Sequence, residues 1–310
     1  MNTAARLAGF GLVLVVALGG GYGVGTAAGP LSSGTGSAEM PAEEAETHQG
    51  EGTATSDGHS ADQADDGAHG DDAASARSDA LSLTEATLGG LSATLDGYSL
   101  QPRSTILVPG DPFLFTVTGP DGAVVTAYEE ESTKELHLIA VRRDGADYRH
   151  VHPTRDPSGQ WLGEVDLTPG SWRVVADTVP AAASGNVALG IDVQVAGDYN
   201  PAAPSEPSTS ATVQDYLVTV DGAPVAGQPT VLRFAVFRGG LPVATQPYLG
   251  ALGHLVVTRE DDLGYLHVHP ETDALAFTAT FPTSGRYLLF LDVTLDGQVH
   301  TAPFTVEVGP

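Results

Sequence analysis

One segment of this chain occurs twice, and that repeat limits the fold more than any other feature. Glu135 to Pro153 (ELHLIAVRRDGADYRHVHP) and Leu252 to Pro270 (LGHLVVTREDDLGYLHVHP) align without a gap at an offset of 117 residues. The same offset sets Gly110-Asp-Pro112 on Gly227-Gln-Pro229, and Gly122 on Gly239. After a two-residue deletion Gly170-Ser-Trp172 meets Gly285-Arg-Tyr287, and Asp177 meets Asp292. Self-similarity at this distance means two copies of one domain. Between His137 and Pro153 nine of seventeen positions match the second copy, against four of twenty-seven between Gly110 and Leu136. The copies have diverged, yet three histidines kept their spacing.

Within each copy the texture is that of short strands. Phe113-Leu-Phe-Thr-Val, Leu136-His-Leu-Ile-Ala-Val, Trp172-Arg-Val-Val-Ala and Val187 to Val195 are divided by Pro109-Gly110, Pro120-Asp121-Gly122 and Pro169-Gly170. Apolar runs of this length between turn residues predict an all-β fold. The expected architecture is two tandem Ig-like or cupredoxin-like β-sandwich domains, over 83–197 and 212–310, with a Pro/Ser-rich linker at 198–211.

The N-terminal part differs. Arg6 is the only charge before an uncharged run from Leu7 to Ala28, and about 20 such residues can span a bilayer as a helix. Residues 1–28 are therefore read as a signal peptide or a transmembrane anchor, with small residues near Thr26, Ala27 and Ala28 as a candidate cleavage site. Either reading exports the rest, since the positive charge stays inside. The expected location is the outer face of the cytoplasmic membrane, or secreted after cleavage. Residues 29–80 are Ala, Gly, Ser, Thr, Glu and Asp with almost no large apolar side chain, and are expected to form a disordered acidic linker. His48, His59 and His69 lie among its acids; a loose metal-gathering tail and a solvated spacer both fit.

Composition removes several function classes. A formal net charge of −26 argues against nucleic acid and anionic lipid as partners, because both need a basic patch. The absence of Cys excludes disulfides, thiolate metal sites and thiol catalysis. Met occurs only at Met1 and Met40, so a metal site in the repeats lacks thioether ligands.

The histidines carry the functional signal. His137 to Val141 and Tyr148 to His152 read as two strands joined by a turn at Arg143 to Ala146. A hairpin there sets His137 opposite His152, with His150 one diagonal step away, at Cβ separations of about 4.5–5.5 Å and 7–8 Å. Three imidazoles on one face can ligate a metal. The second copy repeats the set with His254, His267 and His269. Asp177 and Asp292 end an apolar strand in each copy and are candidate fourth ligands, or plain turn caps. His300, aligned roughly with Ala188, could enrich the second site or be an edge residue. All-imidazole sites with an optional carboxylate suit Cu(II), with Zn(II) second by the Irving–Williams order. Affinity should fall as pH drops through the imidazole pKa of about 6.5. Two other readings of the cluster stay open, namely hydrogen bonding within the fold and a pH-sensing interface.

At His137-Leu138 with His150-Val-His-Pro153, and at His254-Leu255 with His267-Val-His-Pro270, the chain resembles actinobacterial exported proteins with a duplicated HL-x11-HVHP pattern. It is more distantly similar to small exported β-sandwich modules of the YtkA-like kind. That resemblance implies a sandwich fold and a role with copper or heavy metals. The partners expected are the metal ion itself and a membrane metal transporter or cuproprotein.

Enzyme signatures are missing: no GxSxG elbow, no HExxH and no Walker-type loop occurs. The chain therefore reads as a non-enzymatic protein that sequesters or relays a transition metal. A tethered cell-surface interaction module without metal, and a His-ligated metalloenzyme with an open coordination position, are the alternatives.

Overall fold

The computed structural model describes residues 87–310. The readings for residues 1–28 and 29–80, and for His48, His59 and His69, lie outside the described residues. Among the described residues every regular element is a strand. None of them forms a helix long and apolar enough to cross a membrane.

Each repeat is a two-sheet sandwich. In the first, one sheet runs in the order Thr94–Leu95, Tyr98–Pro102, Phe113–Thr118, Trp161–Gly163, Thr154–Arg155. The other runs Ile106–Leu107, Val187–Val195, Gly170–Pro180, Leu136–Arg142, Tyr148–Val151, with Tyr128–Glu129 also on Gly170–Pro180. The second repeat has the sheet Ser210–Val213, Tyr216–Asp221, Pro229–Arg238, Ala276–Thr280, His269–Pro270, with Leu241–Val243 beside Pro229–Arg238. Its other sheet is Tyr265–Leu266, His254–Arg259, Gly285–Leu295, Gln298–Val308.

Period-two alternation explains the inner faces. Phe113, Phe115 and Val117 point into the first core and join Trp161, Trp172, Val174 and Leu189. Leu232, Phe234 and Val236 do the same in the second, with Tyr287, Leu289, Leu291 and Phe304. Four strands depart from alternation because both of their faces are covered. In Leu136–Arg142, Leu136, Leu138 and Ala140 enter the first core, while Ile139 and Val141 on the opposite face belong to a third cluster. Val175 of Gly170–Pro180 joins them, as do Val256 of His254–Arg259 and Leu288 and Phe290 of Gly285–Leu295. This third cluster is the contact between the two sandwiches. Tyr148 lies flat on Phe290 at its edge, with ring centroids 4.1 Å apart and planes within 4°.

A short segment ahead of the first sandwich straps the pair together. Gly89 exchanges two backbone hydrogen bonds with Tyr265, at 2.7 and 2.9 Å, and the Gly90 N–H donates to the Ala188 carbonyl. The Gly90 carbonyl accepts from the Arg173 guanidinium at 2.9 Å. The strap passes so close to Gly190 that a Cβ there would lie 1.6 Å from the Gly90 carbonyl oxygen. Gly190→Ala is therefore expected to destabilise the protein by about 1–3 kcal/mol through overpacking. A shift in the denaturant midpoint checks this, and an unchanged midpoint would mean that the strap is not seated there.

Candidate metal centre between the sandwiches

The face that each doubly covered strand turns toward the other sandwich also carries the polar candidates. On Leu136–Arg142 the order along that face is His137, Ile139, Val141; on Gly170–Pro180 it is Arg173, Val175, Asp177. The second repeat answers with His254, Val256, Thr258 and with Leu288, Phe290, Asp292. In the hairpin Ile139 pairs with His150 and Leu138 with Val151. Continuing that register sets His137 opposite His152. His137, His150 and His152 each offer one ring nitrogen, and these nitrogens lie within 4.8 Å of one another.

His254 joins this group from the second sandwich. Its ring stacks on His137, with centroids 5.1 Å apart and planes within 7°, and lies 4.8 Å from the His150 ring. Four imidazoles from two repeats thus pack together, and three of them, His137, His150 and His152, have converging nitrogens. The expected set of His254, His267 and His269 is not assembled, and the reason is where the chain leaves the sheet. In the first repeat the strand crosses to the opposite sheet at Thr154, which pairs with Leu162. In the second the crossing comes earlier, so His269 pairs with Thr278 in the other sheet and is carried away from His254.

Asp177 and Asp292 are also placed differently from the expectation. Among the described residues neither belongs to a group of three whose ligand atoms converge; each carboxylate is taken up by donors, largely from the other repeat. Asp292 accepts from the Tyr148 hydroxyl at 3.2 Å and from His150 Nδ1 at 2.9 Å. Asp177 accepts from the Tyr265 hydroxyl at 2.8 Å and from His267 Nδ1 at 3.2 Å. Tyr148 and Tyr265 are counterparts in the repeat, as are His150 and His267, so the two sandwiches exchange identical contacts. Each carboxylate has one more donor from its own repeat: Thr301 for Asp292 and Asn186 for Asp177. Strand pairing sets Ala188 opposite Asp177 and Thr301 opposite Asp292. The counterpart of Ala188 is thus Thr301, while His300 packs against the Tyr216 ring, outside both clusters.

The outer hydrogen bonds fix the tautomers of the inner pair. His137 Nε2 faces the Glu131 carbonyl at 3.0 Å, which can only accept, so Nε2 carries the proton. His150 Nδ1 faces the Asp292 carboxylate, so Nδ1 carries the proton there. In the neutral form of both rings, the remaining nitrogens, His137 Nδ1 and His150 Nε2, are bare lone pairs pointed at each other across 3.0 Å. That arrangement requires a cation between or beside them, either a shared proton or a metal. Beside this pair, His152 Nε2 and His254 Nδ1 are buried with no hydrogen-bond partner among the described residues, a costly state for polar atoms.

A second, dissimilar group forms from Glu131, His267 and His269. His267 Nε2 lies 3.1 Å from Glu131 Oε1, so this ring stands between two carboxylates. Glu131 belongs to the first repeat, in the poorly matched stretch where the second repeat carries Tyr248. Sequence reasoning missed Glu131, and missed Tyr148 and Tyr265 although both lie within the matched segment.

Environment separates the histidines. Burial, reinforced by the neighbouring imidazoles, lowers the pKa of His152 to about 3 and holds that of His254 well below the usual value. Burial also lowers His137, against the opposing pull of the Glu131 carbonyl. His267 goes the other way: burial opposes its charge, but hydrogen bonds to Asp177 and Glu131 outweigh burial and raise it to about 10. Burial disfavours the Asp177 anion too, yet its bond to His267 brings it down to about 2. For His137, His152 and His254 the unfolded chain binds protons first. Their contribution to stability is complete above about pH 6.5 and is lost as pH falls toward 3. The His267 contribution is complete below about pH 6.5 and is lost as pH rises through 10. Metal-free protein should thus be most stable near neutral pH and weaken on both sides. Denaturant midpoints at pH 4.5, 6.5 and 9.5 check this; a midpoint that rises on acidification would contradict it.

Comparison with known proteins gives one family match and several remote structural likenesses. A family model described as a domain of unknown function (DUF8832) matches residues 211–310, the second sandwich. No curated protein matches the chain. Among solved structures, the FN1-FN3 domains of chicken CNTN1 align over 68% of this chain and 66% of theirs, at 9% identity and a TM-score of 0.21. The Escherichia coli adhesin FdeC aligns over 72% of this chain and 66% of its own, at 14% identity and a TM-score of 0.20. The BSP domain of a biofilm associated protein aligns over 68% and 29%, at 12% identity and a TM-score of 0.19. The chain thus spans less than two thirds of each of these, and scores this low carry no inference about activity. What fold and site define is a tandem β-sandwich protein with a histidine cluster at the junction of its two repeats.

Proposed function

We propose that this protein binds a transition metal ion outside the cytoplasm, at a centre formed by His137, His150, His152 and His254, for sequestration or relay. The observation that carries the reading is the pair of opposed lone pairs on His137 Nδ1 and His150 Nε2, 3.0 Å apart, beside two buried nitrogens without partners. The converging donors are the imidazoles of His137, His150 and His152, with His254 stacked beside them and no sulfur, which suits Cu(II) first and Zn(II) second. His150 is oriented by Asp292, the histidine–carboxylate pairing that commonly supports metal-ligating imidazoles. A copper-handling membrane transporter or another cuproprotein is the partner class that fits a relay.

Calorimetric titration of the full chain with Cu(II) and Zn(II) tests the proposal. His152 is partly exposed at the end of its strand, so His152→Ala should leave the fold intact. Its affinity is expected to fall by more than the 10–100-fold that loss of an outer-shell partner costs. Equal affinity in both proteins would remove His152 from the centre.

A second reading is favoured by one observation. Both ring nitrogens of His267 and the outer nitrogens of His137 and His150 already have partners in the metal-free protein, and one proton shared between His137 Nδ1 and His150 Nε2 satisfies the remaining pair. The histidines could then serve only to clasp the sandwiches, leaving a tethered module that presents surfaces to other proteins. In that case no variant of the cluster changes metal uptake, and only stability moves.

A further inference from the structure

Beyond the four-imidazole cluster, we propose that Glu131, His267 and His269 form a second cation site of different character. It would hold a divalent ion of the zinc class with a coordination position open to a small external donor. The inference rests on the proposed metal-handling function but uses none of the cluster's four histidines. Three observations carry it.

The first is the donor set. One ligand atom from each of Glu131, His267 and His269 lies within 4.8 Å of the others. Two imidazoles with one carboxylate recur in catalytic and exchangeable zinc sites, which keep a further position open. The second is support. His267 Nδ1 donates to Asp177, and that carboxylate is held by Tyr265 and Asn186. His267 is thereby fixed with Nε2 aimed at Glu131, the outer-shell arrangement that orients a metal-binding imidazole. On metal entry the Nε2 proton now shared with Glu131 leaves to solvent, and the cation takes its place. The third is access. Glu131, His267 and His269 stand at the wall of a cavity of 870 Å³ whose other walls include Leu95, Tyr98, Val179, Ala183 and Val187. A cavity of this size with an apolar body and a few convergent polar groups is the form of a small-ligand site. The ligand class that fits is a small molecule with an apolar body and one donor group, such as a carboxylate or imidazole, able to complete the coordination of the ion.

The test is zinc stoichiometry of the full chain by equilibrium dialysis, in three proteins: wild type, Glu131→Gln/His269→Ala, and His152→Ala/His254→Ala. Histidines of the N-terminal tail are common to all three, so differences isolate the sites. Glu131→Gln/His269→Ala is expected to lose one equivalent relative to wild type, and His152→Ala/His254→Ala to keep that equivalent. Loaded with Co(II), His152→Ala/His254→Ala should also show a visible absorption band that shifts on adding imidazole, as an open position requires. Unchanged stoichiometry in Glu131→Gln/His269→Ala would overturn the second site. So would absence of zinc from His152→Ala/His254→Ala, even if the four-imidazole centre binds in wild type. Loss of the four-imidazole centre alone would leave this site standing, so the two proposals fail separately.

Discussion

Replacing Asp292 with alanine is expected to cost about 3–5 kcal/mol of stability, the range for removing one partner of a buried charged network. Asp292 is 2% exposed, and its carboxylate accepts from Tyr148, His150 and Thr301. Truncation leaves three half-buried donors without acceptors, two of them from the opposite sandwich. Burial, followed by the charge of Asp292, raises the Tyr148 pKa well above the ordinary phenol range, so the hydroxyl stays protonated as a donor. Asp292→Asn keeps the shape and an acceptor oxygen and should recover part of the loss. The same exchange should release His150 from its tautomer and weaken metal binding by about 10–100-fold. Chemical denaturation checks the first effect and titration the second. A neutral Asp292→Ala would mean that the sandwiches do not dock through this residue.

The second large effect concerns His254. It belongs to the second repeat, whereas His137, His150 and His152 belong to the first. If the centre is shared, His254→Ala should lower the affinity of the first repeat's site by more than 100-fold, past the range seen for outer-shell losses. His267→Ala, in the same repeat as His254, should leave that affinity nearly unchanged. The opposite ranking would indicate two independent sites, one within each sandwich. A shared ion also cross-links the repeats, so saturating metal should raise the stability of both together by the linkage of ligand binding to folding.

Much of this was legible in the sequence. The repeat, the turn residues and the alternation of Phe113, Phe115 and Val117 mark sandwiches, and the hairpin register sets His137 opposite His152. The docking of the sandwiches was less legible, although its signal is present. Leu136-His-Leu-Ile-Ala-Val and Tyr287-Leu-Leu-Phe-Leu-Asp-Val are near-continuous apolar runs, the mark of strands covered on both faces. A strand facing water on one side would carry polar residues at Ile139, Val141, Leu288 and Phe290. The early crossing of the second repeat had no such signal, because His-Val-His-Pro is identical in both copies. What differs is the sequence beyond it: Thr154-Arg155 in one repeat, Glu271-Thr272 in the other. Asp177 and Asp292 were recognisable as site residues, but their role depends on which sandwich their partners come from, and an alignment within one chain does not record that. Glu131 was hidden for a related reason. It lies where the copies have drifted, so comparison of the repeats could not single it out.

The most direct test of the central claim is electron paramagnetic resonance of the full chain loaded with one equivalent of Cu(II). The spectra of wild type, His254→Gln and His150→Gln would be compared. A shared centre gives a single type-2 signal with imidazole nitrogen couplings in wild type, altered by either substitution although the two residues come from different repeats. A wild-type spectrum without imidazole couplings, or one indifferent to both substitutions, would contradict a shared histidine centre and leave the clasp between sandwiches as the purpose of these residues.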